Sequence, residues 1–365
     1  MKSNRVLVPV AAAVAMILTS GWAAAVEPEQ VLSRAAKRIP SPPWSAGDEQ
    51  GMANQIGAGT WMRCAWHLSQ PKARSYELSY LRSNTMPKSP FSGPYNQKYK
   101  PTGGIPFSAH AFNGEELDAG AEPAAQATQM DAIGHFAFLP EPWKMQPPFP
   151  SDTATYYGGF KQSEVKPTPD SPLLKLGIEK APPLITSAIL LDAKTHVGGG
   201  KPLEAGRGVT AKDIEDMLAV QGLSGRGILP GDVVYIRTGW GDNWQDPDVD
   251  KVYYFKAPGL AYDAAKYLGD KRIVAIGLDT PFIDPVPEGM MQGKALPAEG
   301  TPPGLPFVVH HHMLTQMGIH HIEHANLAAI ANDKVWTSCT MILPLREKGG
   351  AGSAVRPVAI GVPGQ

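Results

Sequence analysis

The chain has 365 residues, of which 43% are hydrophobic and 18% charged, and it carries a net charge of −1. That is enough apolar material for one large domain or two smaller ones, and the near-neutral balance leaves no electrostatic footprint for nucleic acid or an anionic membrane. The 38 glycines and 36 prolines predict many ordered turns and long connections rather than low complexity.

The first segment reads as a targeting signal. Lys2 and Arg5 form a charged start, Val6 to Leu18 is apolar, and Ala23 to Ala25 supply a small-residue cleavage site. Residues 1–25 are therefore expected to be a signal peptide, too short in its apolar stretch for a membrane span. The mature chain is then exported, to the periplasm or the medium, and no later segment is apolar enough to cross a membrane. Residues 26–45 read as an extended N-terminal arm and residues 46–365 as one domain. Cys64 and Cys339 are the two cysteines. Export permits a disulfide, but their helix-like and strand-like settings favour two buried thiols.

Along the chain, DEQGMANQIG (Asp48 to Gly57) is a loop entering a helix over roughly 58–69. SYELSYLRS alternates and predicts a strand. Residues 84–124 form an irregular excursion, of a kind that often carries substrate contacts. Ser187 to Ala193 is an apolar strand. Thr210 starts a helix, with Asp213 at the capping-box offset, and this helix ends near Gly222. Gly231 to Trp240 is a β-branched strand, Tyr262 to Leu268 a helix, and Ile273 to Thr280 a buried strand. His311 to Met317 is predicted helical and stopped by Gly318. IHHIEHANL follows as a strand or strand-to-loop segment, and Val335 to Leu343 as a late strand. Strands and helices interleave without a strict βαβ rhythm, which favours a mixed α/β sheet over a doubly wound parallel one.

Chemistry concentrates in two windows. TQMDAIGH holds Gln129, Asp131 and His135. VVHHHMLTQMGIHHIEHANL holds six histidines and Glu323. A histidine cluster can be a solvated patch, but carboxylates at fixed offsets among imidazoles favour a divalent metal site. Gln129 and Asp131 share a face of an extended chain, and His135 returns to that side if the chain turns helical. His311 and Glu323 can meet if the helix turns at Gly318. His310 and His312 then point elsewhere. His320 and His321 face opposite sides of a strand, so at most one joins. Phe136, Trp143, Tyr156, Tyr157 and Trp240 are candidates to shape a pocket for a planar substrate, against ordinary core packing.

These motifs resemble the cyclase family, metal-dependent hydrolases that include bacterial kynurenine formamidase and isatin hydrolase. The resemblance spans roughly residues 45–360. It runs through DEQGMANQIG, TQMDAIGH (the family's H-x-G-T-H-x-D-x-x-x-H), LLDA, GDVVYIRTGW, GLDTPFID, HHMLTQMGIHHIEHANL and SAVRPVAI. It implies a swivelling β/β/α fold with a mixed sheet, in one large domain, and a homo-oligomer, dimer or tetramer. It implies a small-molecule substrate, a divalent cofactor such as Mn²⁺ or Zn²⁺, and hydrolysis of an amide, cyclic amide or ester by metal-activated water. By the same resemblance Gln129, Asp131, His311 and Glu323 are metal ligands, Gln129 a weak one through its amide oxygen, and His135 is the acid/base or an additional ligand. Asp279 orients a ligand or holds the strand end. Two departures stand out. Ala125 replaces the motif's first histidine and Gln129 its second, a neutral oxygen donor. The open alternatives are one metal instead of two, an oxygen-preferring metal, recruitment of His110, or loss of metal. An exported non-catalytic binding protein on the same fold is the competing function.

Overall fold

The computed structural model describes residues 38–364 apart from residue 121; the signal peptide and most of the N-terminal arm lie outside the described residues. In chain order the strands are β1 Arg74–Glu77, β2 Asn96–Tyr99, β3 Gly103–Gly104, β4 Ala111–Phe112, β5 Glu115–Asp118, β6 Gln129–Asp131, β7 Leu184–Leu191 and β8 Gly208–Val209. They continue with β9 Val233–Ile236, β10 Gly259–Leu260, β11 Ala275–Leu278, β12 His320–Glu323, β13 Thr337–Ile342, β14 Gly352–Ala354 and β15 Val358–Gly361. The principal helices are α1 Ala58–Leu68, α2 Ala211–Val220, α3 Tyr262–Asp270, α4 Val308–His310 and α5 Ala328–Asn332. A π-helical stretch, His311–Met317, continues α4.

Nine strands form one mixed sheet in the order β1-β15-β13-β7-β9-β11-β12-β6-β14. Its centre, β7-β9-β11-β12, is parallel, while β13, β15 and β1 on one side and β6 and β14 on the other run antiparallel to their neighbours. The expectation of a mixed α/β fold is met.

The central strands read as unbroken apolar runs because both faces are covered. Ile189, Leu191, Val234, Ile236, Ile276 and Leu278 face α2 and α3, where Ile214, Met217, Ala264 and Leu268 meet them. The alternate residues Ala188, Leu190, Val233, Tyr235 and Ala275 build a second core on the opposite face with Met130, Ile322 and Ile330. The predicted capping box is present: Thr210 Oγ1 accepts from Asp213 N, and Asp213 accepts from Thr210 N, at 3.1 and 2.8 Å.

Two expectations are corrected. Cys64 and Cys339 are not two thiols but a disulfide, across 275 residues of sequence. One stripe of α1, Thr60, Cys64 and His67, is buried, and Cys64 on it meets Cys339 on β13, a tertiary contact that local pattern cannot show. The excursion over 84–124 is also less irregular than predicted. It contains a hairpin, β2 with β5 and β3 with β4, outside the main sheet.

A candidate metal centre between the sheet and a helix start

The site begins with strand periodicity. In the antiparallel pair β12–β6, Glu323 lies opposite Gln129 and Ile322 opposite Met130. Side chains alternate across a sheet, so Gln129, Asp131, His321 and Glu323 share one face, while Met130 and Ile322 enter the core behind it.

The helix supplies the fourth group. Asp284 accepts hydrogen bonds from the backbone N–H groups of Val309 and His310 at 2.7 and 3.0 Å, satisfying orphan donors at the start of α4. The same carboxylate lies 2.6 Å from His310 Nδ1. Nδ1–H is thereby directed to Asp284, and Nε2 is left facing the sheet, 3.4 Å from Glu323 Oε1 and 3.8 Å from Asp131 Oδ2. A carboxylate behind a histidine in this way fixes its ring and tautomer for metal binding. Gly318, at φ +66°, ends the π-helical turn, and a side chain there would collide with the Tyr157 ring and the Gly51 backbone.

Asp131, His310, His321 and Glu323 are all buried, and each offers one donor atom within 4.8 Å of the others. Asp131 Oδ2 and both ring nitrogens of His321 are buried with no hydrogen-bond partner among the described residues. Orphaned polar atoms of this kind are costly unless something else satisfies them. Metal bonds of about 2.0–2.2 Å place neighbouring donors roughly 3–4 Å apart; here His310 Nε2 lies 3.4 and 3.8 Å from Glu323 Oε1 and Asp131 Oδ2, and His321 Nδ1 3.9 Å from Asp131 Oδ2. The mixture of carboxylate oxygen and imidazole nitrogen suits a divalent cation, so the residues fit the group that the resemblance implies.

Electrostatics agree with a cluster built around a positive charge. Burial, with the Glu323 charge, lifts the Asp131 carboxyl to about 6 against the pull of nearby His135 and His310. Burial pushes the His310 imidazole down, but hydrogen bonds and charges from Asp284 and Glu323 outweigh it and hold it up at about 10. Burial and the neighbouring His310 charge drive His321 well below its ordinary value, so it is a neutral imidazole with a free lone pair.

The predicted residues fall as follows. Asp131 and Glu323 converge. His311 does not: the structure turns His310 to the cluster, and the His311 ring packs on Phe138 at 5.0 Å. Gln129 lies beside the cluster, where its Nε2 donates to Glu323 Oε2 at 2.7 Å and Asp131 Oδ1 at 3.3 Å. It is therefore not the metal ligand expected from the sequence: its amide nitrogen, not its oxygen, faces the carboxylates, and it orients two of them. His135 sits exposed at the rim, its ring 6.5 Å from His310. His110 is exposed on the hairpin and does not replace the absent ligand at Ala125. Of the five aromatic candidates, Phe136 borders the cluster, 4.7 Å from the His310 ring. Tyr156 and Tyr157 pack in a core cluster, with hydroxyls on Gln162 and Asp48. Trp240 packs in another core cluster, its Nε1 on Tyr253 O. Trp143 is exposed against Phe149. Asp279 holds the strand end by accepting from Thr238, Gly239 and Gly241. A cavity of about 400 Å³ lined by Phe138, Glu141, Thr155 and Lys161 lies on the His311 side, and none of the four cluster residues lines it.

Sequence reasoning turned His310 away from the site, left His320 and His321 undecided, and did not single out Asp284. Strand alternation from Glu323 picks His321 over His320, so that signal was present. The run His310-His311-His312 gives no way to choose among its members without the helix start, which Asp284 sets from 26 residues away.

Residues 32–285 match the model of the Cyclase family, and the chain belongs to it. No curated protein matches the chain. Among solved structures, a protein described as a novel cyclase aligns at TM-score 0.68 and 22% identity, over 87% of this chain and 97% of that one. Isatin hydrolase A from Labrenzia aggregata, bound to benzyl benzoate, aligns at TM-score 0.52 and 15% identity, over 83% of this chain and 99% of that one. An isatin hydrolase bound to the product analogue thioisatinate aligns at TM-score 0.51 and 16% identity, over 84% of this chain and 100% of that one. At these identities the likeness shows a common fold.

Proposed function

We propose that this protein is an exported metal-dependent hydrolase that opens an amide, cyclic amide or ester bond in a small aromatic substrate. The observation that carries the reading is the convergence of buried, unpartnered donor atoms on Asp131 and His321 with His310 and Glu323. Asp131, His310, His321 and Glu323 would hold a divalent cation such as Mn²⁺ or Zn²⁺, which when bound would supply Lewis acidity toward a carbonyl and would lower the pKa of a water from about 16 toward about 7.

The chain's own groups do the rest. Asp284 and Gln129 hold His310, Glu323 and Asp131 in position before substrate arrives. His135, exposed at the rim, takes a proton from the attacking water and returns it to the leaving nitrogen or oxygen, work suited to an imidazole. Half-buried Phe136, Phe282 and Phe307 form a wall beside His310, with ring centroids 4.7–6.4 Å apart along Phe282, Phe307, Phe136 and His310. Such a wall favours a flat apolar ring. The bound product analogue in one isatin hydrolase structure makes ring-fused lactams the first class to test. Export is supported by the A-x-A site ahead of Val26 and by the disulfide, which an oxidising compartment sustains.

The test is to measure metal content of the purified mature protein and to assay isatin-like lactams, N-formyl aromatic amines and aryl lactones with and without Mn²⁺ and Zn²⁺. Turnover should follow metal loading, and His135→Ala should lower kcat more than occupancy. Full occupancy with no turnover on any of these carbonyl compounds would replace this reading with that of a binding protein.

A further inference from the structure

Four half-buried phenylalanines lead away from the candidate metal centre in a row. From the His310 ring the steps between centroids are 4.7 Å to Phe136, 6.4 Å on to Phe307, 6.1 Å to Phe282 and 6.4 Å to Phe91. At the far end Phe91, Phe282 and Phe307 pack against the buried Met290 and Met291.

The backbone that builds the cluster also fixes this stripe. Phe282 lies between Thr280, whose hydroxyl donates to Phe282 O at 2.5 Å, and Ile283, whose N–H donates to Glu323 Oε1 at 3.2 Å. Phe307 immediately precedes α4, and its carbonyl accepts from His311 N at 3.1 Å. Phe136 follows His135 in the chain. Phe91 belongs to a loop tied down by buried Met86, Ser92 and Tyr95. Each ring is therefore anchored, yet each keeps part of its surface in water. Half-exposed apolar side chains scattered singly are ordinary, whereas a contiguous run that starts at a cluster of converging polar groups has the make-up of a ligand groove.

We propose that this stripe is an apolar subsite, and that the substrate's acyl part is an aromatic ring carrying an extended, uncharged hydrocarbon tail. The placing of the reacting carbonyl at the cluster rests on the hydrolase reading above. Aromatic contacts run at about 4.5–7 Å between centroids, so one substrate ring over Phe136 and Phe307 leaves Phe282 and Phe91 untouched. A tail that reaches them covers their open faces and meets two thioethers, which adapt to irregular apolar shapes. Nothing on the same loop is left to pair with a charged tail: Asp284 is engaged by Val309 and His310, and Glu288 by Lys256 at 2.9 Å.

Calorimetry on the Mn²⁺-loaded mature protein tests this with benzoate and its 4-ethyl, 4-butyl and 4-hexyl derivatives, acids that stand in for a cleaved acyl product. Each added methylene should tighten binding by up to about fourfold until the tail spans the stripe. A 4-(4-aminobutyl)benzoate should show none of that gain. Phe91→Ser should lower the ratio of hexylbenzoate to benzoate affinity by about tenfold. Affinity that does not change with tail length overturns the proposal, as does an equal gain from the charged tail or a ratio that Phe91→Ser leaves untouched. The wild-type series decides by itself should the variant fail to fold. Binding is read without turnover, so the two readings separate. Rising affinity with no hydrolysis of any carbonyl compound removes the hydrolase and keeps the subsite; hydrolysis with flat affinity does the reverse.

Discussion

His310 and His311 differ by one step along the chain, but one step is about 100° around a helix axis. Asp284 decides which of them meets the sheet, because it caps the helix start and holds the His310 ring at once. Metal analysis of two variants separates them: His310→Ala should lose metal affinity by more than about 100-fold, and His311→Ala should keep it. Equal loss in both would mean that the site is not the one described. Asp284→Asn keeps the size of the side chain and removes the charge behind the imidazole. It should weaken metal affinity about 10–100-fold, measured by competition with a chelator, while the helix remains. His321 and Glu323 are two residues apart on a strand and Gln129 and Asp131 are two apart on its partner, so half of this site was legible from alternation. The role of Gln129 was not, since an amide can offer oxygen to an ion or nitrogen to a carboxylate, and its surroundings choose.

Helix α1 shows how an element acquires a function from its packing. Thr60, Cys64 and His67 repeat at helical spacing and face the sheet. Local pattern predicted the helix and its extent. The bond from Cys64 to Cys339 depends on which strand lies beneath, and strand order is a property of the whole sheet. In the chain-entropy account, closing a loop of 275 residues restricts the unfolded chain, and native disulfides contribute about 2–5 kcal/mol. Cys64→Ser with Cys339→Ser should lower stability by about that amount in urea titration, and the untreated wild type should show no thiol reactive to Ellman's reagent after unfolding. Two reactive thiols per chain would refute the bond.

At the scale of the whole molecule, buried neutral histidines set the response to acid. Burial, with the neighbouring Arg226 charge, takes His67 down to about 4 against the pull of Asp232. Burial takes His320 to about 4, opposed by its hydrogen bond to the Asp131 backbone, and His324 to about 3. Between these values and the ordinary 6.5 the unfolded chain binds protons that the folded one refuses, so stability rises with pH there and is lost as pH falls. His67 alone accounts for up to about 3 kcal/mol across that window, at about 1.4 kcal/mol per pH unit. His67→Gln should therefore flatten the stability curve between roughly pH 6.5 and 4, measured by denaturation at each pH. An unchanged slope would show that His67 protonates freely in the native state. Metal-free Asp131 has the opposite sign, because its raised pKa makes the folded state the better proton acceptor, and metal loading removes that contribution.

The sequence by itself determined the mixed α/β class, the order of most elements, the family, and the two windows that hold the candidate site. Those rest on local physics: apolar runs too uniform for a one-faced sheet, a capping box, a glycine that stops a helix, and carboxylates among imidazoles. Tertiary structure alone decided that His310 and not His311 turns inward, that Asp284 stands behind it, that Cys64 meets Cys339, and that the segment 96–118 leaves the body as an uncovered hairpin. Each of these depends on contacts between residues distant along the chain, and no periodicity records a contact that only packing creates.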